Sequence, residues 1–294
     1  MFPFQSVLEQ SLLLFPLICA IYFSYVILRI TDVSVDGSMV LGAAVTAKLL
    51  MSGYNPFFAM LAAMACGFIA GACVALVQYK NSVNDIIAGL LMSFILYSIN
   101  LNVMGMPHLM TMHSETIVKL IGKLNNEYRK MIVVMMTSIV TVMFILSLMH
   151  SRLGLKLRGF GENRQLMEKL GFKPEFYRII GLGMSGCMAS LTGSVMSQIY
   201  GYSDINMGIG MAITAIGALV IGMHLINKIN FFRIRLMNQS AITELFGCFV
   251  GIFCYFSITN VLVLFEVNPV NFKLILGVVV IVFLKLAGKS GTAN

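Results

Sequence analysis

The sequence predicts an all-α, polytopic membrane protein of about nine spans (eight to ten), arranged as two inverted-topology repeats. Three observations carry that prediction. Hydrophobic residues make up 59% of the 294 and charged residues 11%, with a mean hydropathy of +0.90, whereas soluble domains carry roughly a quarter charged residues. The apolar residues gather into runs close to the ~20 residues a helix needs to cross the hydrocarbon layer. Between two of these runs lies one long basic segment, His150 to Arg178, with seven Lys or Arg against three Glu.

In chain order the runs place spans near 6–28, 35–51, 56–77, 84–104, 131–149, 179–200, 206–226, 241–262 and 272–287. The first lacks a basic leader and a small-residue cleavage site, so it is read as a span and not as a removable signal. Cytoplasmic loops carry the excess of Lys and Arg, which puts the 150–178 segment inside. Alternating outwards then sets fourteen of the twenty basic residues on the cytoplasmic side, including Arg29, Lys80, Lys228 and Lys289. Lys119, Lys123, Arg129, Lys130 and Lys273 fall outside, and Lys48 lies near the outer end of its span. The N-terminus is expected outside and the C-terminus inside. Between spans four and five, Ile117, Leu120, Ile121 and Leu124 share one helical stripe, the pattern of a helix lying on the outer surface.

The net charge of +8 does not indicate a nucleic-acid binder, because the basic residues sit in short gaps between apolar runs and not on one soluble face. The six cysteines all fall inside apolar runs without metal-ligand spacing, as small buried hydrophobes do.

An internal repeat is visible. The first span ends in Asp32 to Met39 and the sixth in Asp204 to Met211, each pairing an Asp with a Met seven residues on. Two spans after each lies a Gly-x-x-x-Gly pair, Gly67 with Gly71 and Gly247 with Gly251, a spacing that lets helix backbones approach closely in lipid. The repeats begin five spans apart, so the two halves cross the membrane in opposite senses. The chain is thus one transmembrane domain, 1–294, with a first repeat (1–149), a cytoplasmic loop (150–178) and a second repeat (179–294). The matched segments are polar and glycine-rich, which lipid tolerates only where backbone is buried in protein or lines a cavity. This places a translocation pathway beside Asp36, Gly37, Ser38, Asn206, Met207, Gly208 and Gly210. The same residues also read as capped helix starts, and the two readings are compatible.

Other motifs carry less. Gly288-Lys289-Ser290 imitates the end of a phosphate-binding loop, but Phe283 stands where its first glycine belongs. No cytoplasmic stretch is long enough to fold an ATPase, no catalytic constellation is present, and no cofactor is expected in this chain. Met104 to His113 holds four methionines and two histidines, soft ligands suited to copper(I) or silver. Methionine is used throughout as span filler, nothing there fixes a coordination geometry, and no metal site is assigned. Glu9, Asp36, Lys48, Asp85 and Glu244 lie near span ends and do not form a buried proton relay. In the cytoplasmic loop, Glu162 to Leu170 forms a short amphipathic helix with Leu166, Met167 and Leu170 on one side and Arg164, Glu168 and Lys169 towards water, stopped by Gly171. It reads as a compact knob for a protein partner.

At these residues the chain resembles the permease subunits of bacterial ATP-binding-cassette importers, in the branch of branched-chain amino acid and ribose permeases. The segments that carry the resemblance are Asp32 to Ser38 with Leu41-Gly42-Ala43, Leu96 to Leu101, Gly161-Glu162-Asn163, Leu170-Gly171 and Gly201 to Gly210. The nearest sub-branch includes members associated with aromatic amino acids. The resemblance implies the bacterial plasma membrane and a dimer, with itself or a similar permease. It also implies two cytoplasmic ATPase subunits that bind ATP and Mg, and an extracytoplasmic binding protein. It makes Gly161, Glu162, Asn163, Arg164, Leu166, Met167 and Leu170 a coupling helix in an ATPase groove, and Asp36 and Asn206 part of the route for a small polar solute, amino acids among the candidates. The Gly-Glu pair of the sub-branch after the seventh apolar run is replaced here by Gly222-Met223-His224, which puts a charge-based role for that corner in doubt. A self-sufficient secondary transporter or channel fits the repeat but leaves the knob without a purpose, and a non-transporting membrane scaffold is the third reading.

Overall fold

A computed structural model of the chain describes residues 3–79, 82–105, 108–112, 116–120, 125–232 and 241–268, with single positions as far as 281. Among the described residues, seven helices are long and apolar enough to cross a membrane. Of the ninth expected span, 272–287, only six scattered positions are among them, and the Gly288-Lys289-Ser290 tail, Ile121 and Leu124 lie outside.

Local chemistry sets the helix ends. Helix α1 (Pro3–Ile21) runs into a π-turn (Tyr22–Ile27), and α2 covers Val35–Met51. In α3 (Pro56–Val77), Asn55 accepts the N–H of Phe57 at 2.9 Å and Pro56 holds the first helical position. Helix α4 (Asp85–Met104) is capped by Asn84 and stops at Gly105, whose φ of 79° needs a residue without a Cβ. Strand β1 (Leu109–Thr111), the single turn α5 (Ile117–Leu120) and α6 (Asn126–His150) follow. The loop expected at 150–178 folds as α7 (Arg152–Glu162) and α8 (Arg164–Lys169), and α9 (Pro174–Tyr200) starts within it at its proline. Strand β2 (Tyr202–Asp204), a 3₁₀ turn (Ile205–Gly208), α10 (Met211–Phe232) and α11 (Ala241–Leu264) complete the chain.

Helices α1 and α9 form the buried centre, and α3, α4, α6 and α11 present most of their surface outwards. The central pair is antiparallel, with the Ser185 hydroxyl donating to the Ala20 carbonyl at 3.0 Å and Gly181 lying against Leu28. Helix α2 runs the other way, parallel to α9. Ser190 donates to the Ser38 carbonyl at 2.6 Å, and Thr46 donates to Ser194 at 2.7 Å. Glycines allow these approaches: a methyl group added at Gly67 would lie 2.4 Å from the Gly186 carbonyl oxygen of α9, and one at Gly71 would lie 2.1 Å from that of Leu182. At the end away from the handle, α7–α8, β1 and β2 pair antiparallel with Leu109 opposite Asp204.

Two local expectations are corrected. The knob is two helices broken at Asn163, and its apolar residues divide: Met167 is buried beside Gly159, whereas Leu166 and Leu170 are exposed. A β-extended Asn163 that caps α8 turns the chain between them, so one helical stripe cannot run through. At the other end, Ile117 and Val118 are both buried, packed with Val133, Val195 and Ile199, and the Ile117 N–H donates to Gln198. Of the expected surface stripe, Ile117 is therefore turned into the protein and Leu120 is exposed, while Ile121 and Leu124 lie outside the described residues.

Candidate functional site

The registers along α9 locate the middle of the molecule. At ~1.5 Å per residue, α9 is about 40 Å long, and Ser190, beside Ser38, lies beyond its midpoint. Helix α2 therefore begins well inside the protein and not at its surface. The chain from the π-turn back up to Val35 is irregular and buried: Leu28 and Ile30 are fully enclosed, and Asp32 and Ser34 are nearly so. Several of its polar groups find partners within the protein, as non-helical backbone in lipid requires. Ser93 donates to the Val33 carbonyl at 3.2 Å, and one Asp32 oxygen accepts both the N–H and the hydroxyl of Ser34.

The second half reaches the same depth from the opposite end. After β2, Asp204 accepts the Asn206 N–H at 2.9 Å, repeating the turn that Asp32 makes with Ser34. The chain then descends through Gly208, where an added methyl would lie 2.5 Å from the Asp36 carbonyl oxygen. The carboxylate of Asp36 accepts the N–H groups of Gly210 and Ala212. Asp36 thus caps α10 from another helix, placing negative charge at the positive end of its dipole. The two helix starts meet here. Helix α2 leaves towards the sheet, where Ala44, Ala47 and Leu50 pack with Met110 and Met112, and α10 leaves towards the handle.

The residues singled out from sequence divide at this junction. Asp36, Gly208 and Gly210 are in direct contact, Gly37 is buried against Leu96, and Ser38 is buried under Ser190. Met207 is half-buried and Asn206 is exposed, beside exposed Ile209 and Ile213. Two residues not assigned from sequence hold the junction in place. Asn100 of α4 donates to the Gly37 carbonyl at 3.1 Å, and Ser190 holds Ser38. Their only sequence signal is a small polar residue within an apolar run. Met104, Met110 and Met112 are buried among alanines, so they serve as packing.

The handle is rigidly seated. A methyl added at Gly161 would lie 1.9 Å from the Ile27 carbonyl oxygen, so handle backbone rests directly on the π-turn. Phe160 is buried, with the guanidinium of Arg164 at 4.7 Å from its ring centre and that of Arg178 at 5.9 Å. Arg178 also donates to the Gln78 carbonyl at the end of α3 and pairs with Glu175 at 3.3 Å. Asn163 accepts the Leu166 N–H at 2.9 Å, and Glu162 is exposed. Leu155, Leu166, Leu170 and Phe176 are exposed on this same segment.

Similarity to known proteins supplies the family in which this geometry sits. The profile of the branched-chain amino acid transport system permease component matches residues 7–284. The chain belongs to this family. It is a permease of an ATP-binding-cassette importer, and the family is a transport permease whose importers work with ATPase and binding-protein partners. An uncharacterised protein of Rickettsia prowazekii is 41% identical over 280 residues, 95% of each chain. The tyrosine transport system permease protein of Clostridioides difficile is 32% identical over 280 residues, 95% of this permease and 89% of that one. The autoinducer 2 import system permease protein of Escherichia coli O9:H4 is 30% identical over 129 residues, 44% of this permease and 34% of that one. No solved structure matches the permease.

Proposed function

We propose that this permease carries a small polar solute, an amino acid and by its relative's name tyrosine, through a route formed beside the α2–α10 junction. Two copies, or one copy with a similar permease, sit on two cytoplasmic ATPases that bind ATP and Mg, and an extracytoplasmic binding protein delivers the solute. The handle is the coupling element. The observation that carries this reading is the pairing of a rigid seat with an apolar tip: Gly161 and Phe160 are locked against the body, while Leu166 and Leu170 of the same segment stand in water. Exposed apolar side chains on a charged aqueous segment mark a docking surface.

The inverted repeat is supported by the matching Asp32 and Asp204 turns and by two helix starts entering from opposite ends. With the handle inside, nine spans put the N-terminus outside and the C-terminus in the cytoplasm. Alternating access then consists of ATP-driven closure of the partner ATPases, a pull on the handles, and rocking of the repeats about the junction. The side chains facing open space there, Asn206, Ile209 and Ile213, supply one polar and two apolar contacts for a passing amino acid.

The test is purification in mild detergent with mass spectrometry of the companions, with and without Leu166→Glu, followed by ATP-dependent L-tyrosine uptake in proteoliposomes. Stoichiometric ATPase lost in the variant supports the coupling assignment. Recovery of the permease alone, with gradient-driven flux, would establish a secondary transporter.

A further inference from the structure

The π-turn and the irregular chain after it touch every part that must move together. Ile27 bears the handle at Gly161, and Leu28 fills the space left by Gly181 of α9. Tyr22, in the same turn, donates its hydroxyl to the Glu244 carboxylate at the start of α11. Nine residues beyond Ile27 comes Asp36, bound to the start of α10. π-turns are rare and recur at functional positions.

The backbone supplies a hinge between these contacts. Leu28 N–H bonds to Phe23 at 3.1 Å and Ile30 N–H to Ser24 at 2.9 Å, a left-handed helix ending widened by the π-turn. Its left-handed residue is Arg29, at φ 54°. Among the described residues the other positive φ values belong to five glycines and to Glu266. Glycine occupies such positions without steric cost, and arginine does not. The Arg29 side chain is exposed, and non-glycine strain of this kind gathers at switch regions.

We propose that residues 22–34 are the lever that carries handle motion to the α2–α10 junction, with Arg29 a positioning residue whose left-handed backbone is the lever's hinge. The proposal rests on the coupling role of the handle. In one arrangement Arg29 is left-handed and Asp36 caps α10. In the other Arg29 relaxes to an extended conformation, and the segment moves with Gly161. A residue that cannot hold the left-handed state biases the lever to the second arrangement before any nucleotide is bound.

Hydrogen–deuterium exchange on the complex of the full chain with its co-purifying ATPase, in lipid nanodiscs with and without Mg-ATP and vanadate, tests this. Peptides covering 22–36 report the lever and peptides covering 152–170 report the handle. The expected result is that nucleotide changes both in the wild type and in Arg29→Gly. In Arg29→Val only the handle responds, and the lever is already shifted without nucleotide by about tenfold in exchange, the population change that one strained left-handed residue is worth. Arg29→Ala, whose single Cβ carries the same left-handed cost, responds as the wild type and controls for the guanidinium, and Tyr22→Phe weakens the lever response by releasing Glu244. A handle response without a lever response in the wild type overturns the proposal. So does an Arg29→Val lever that behaves as wild type, or an Arg29→Ala or Arg29→Gly lever as unresponsive as Arg29→Val, which would assign the role to the guanidinium. Absence of an ATPase, or of any handle response, overturns the coupling reading and the lever with it.

Discussion

The carboxylate of Asp36, in the first turn of α2, accepts the backbone N–H of Gly210 at 3.1 Å across 174 residues of chain. That bond joins the start of α2 to the start of α10. It makes a side chain of the first half the cap of a helix in the second, so neither helix start is complete without the other. The alternating access proposed above needs a fixed relation at its centre that can nonetheless be broken at small cost, and a charge-assisted cap has that scale.

Asp36→Asn retains an acceptor but removes the charge from the α10 dipole, and Asp36→Ala removes both. Loss of a cap costs about 1 kcal/mol and a charged bond up to about 2 kcal/mol more than none. Asp36→Ala is expected to lower the melting temperature by a few degrees and uptake by about tenfold, with Asp36→Asn between it and the wild type. Wild-type uptake by Asp36→Ala at normal expression would remove the junction from the mechanism.

Asn100 holds the next carbonyl along. Its amide donates to the Gly37 carbonyl from a fully buried position on α4. Asn100→Leu keeps the volume and removes that bond, leaving the carbonyl to the helix alone, which costs about 0.5–1.5 kcal/mol. A fall in stability is expected together with a loss of uptake. Unchanged unfolding midpoints would show that the Asn100 bond adds nothing to the seat of α2.

Much of the fold was legible because membrane spans obey two simple constraints, length and hydropathy. The ends of α2 and α3 match the expected runs at 35–51 and 56–77, since both are framed by Asn, Pro, Ser or Gly. What hydropathy does not encode is depth. Asp36 was read from a polar, glycine-rich repeat segment, yet the same pattern fits a surface cap, and only the Ser38–Ser190 register shows that α2 starts within the protein. The handle failed for another reason. Leu166, Met167 and Leu170 share a helical stripe, but Asn163 breaks the helix before them and Gly159 offers a recess to Met167 alone. Periodicity predicts a face and cannot say which members of it find a partner.

The two glycines of the second pair separate under substitution. A methyl at Gly251 would lie 2.0 Å from the Ala218 carbonyl oxygen, whereas at Gly247 the nearest atom is the flexible end of Ile226 at 3.1 Å. Gly251→Ala is therefore expected to cost about 1–3 kcal/mol through forced separation of α10 and α11. Gly247→Ala is expected to be tolerated. Equal behaviour of the two in detergent melts would mean that this helix pair is looser than its backbone spacing shows.

Phe160 separates docking from transmission in the handle. It is fully buried, makes no part of the exposed tip, and lies beneath the guanidinium groups of Arg164 and Arg178. Phe160→Leu keeps an apolar filler of smaller size and removes the aromatic face, so the cation–π attraction of about 0.5–2 kcal/mol is lost. Leu166 and Leu170 still face the partner, so the ATPase is expected to co-purify in normal amount. The handle is then held less firmly to Arg178, and through it to the end of α3 at Gln78, so closure of the ATPases moves the handle more than the spans. ATP hydrolysis per solute imported should rise severalfold, and Phe160→Tyr, which restores the ring, should return the ratio towards wild type. If Phe160→Leu instead loses the ATPase as Leu166→Glu does, the seat and the tip act as one surface, and Phe160 shapes the docking face itself.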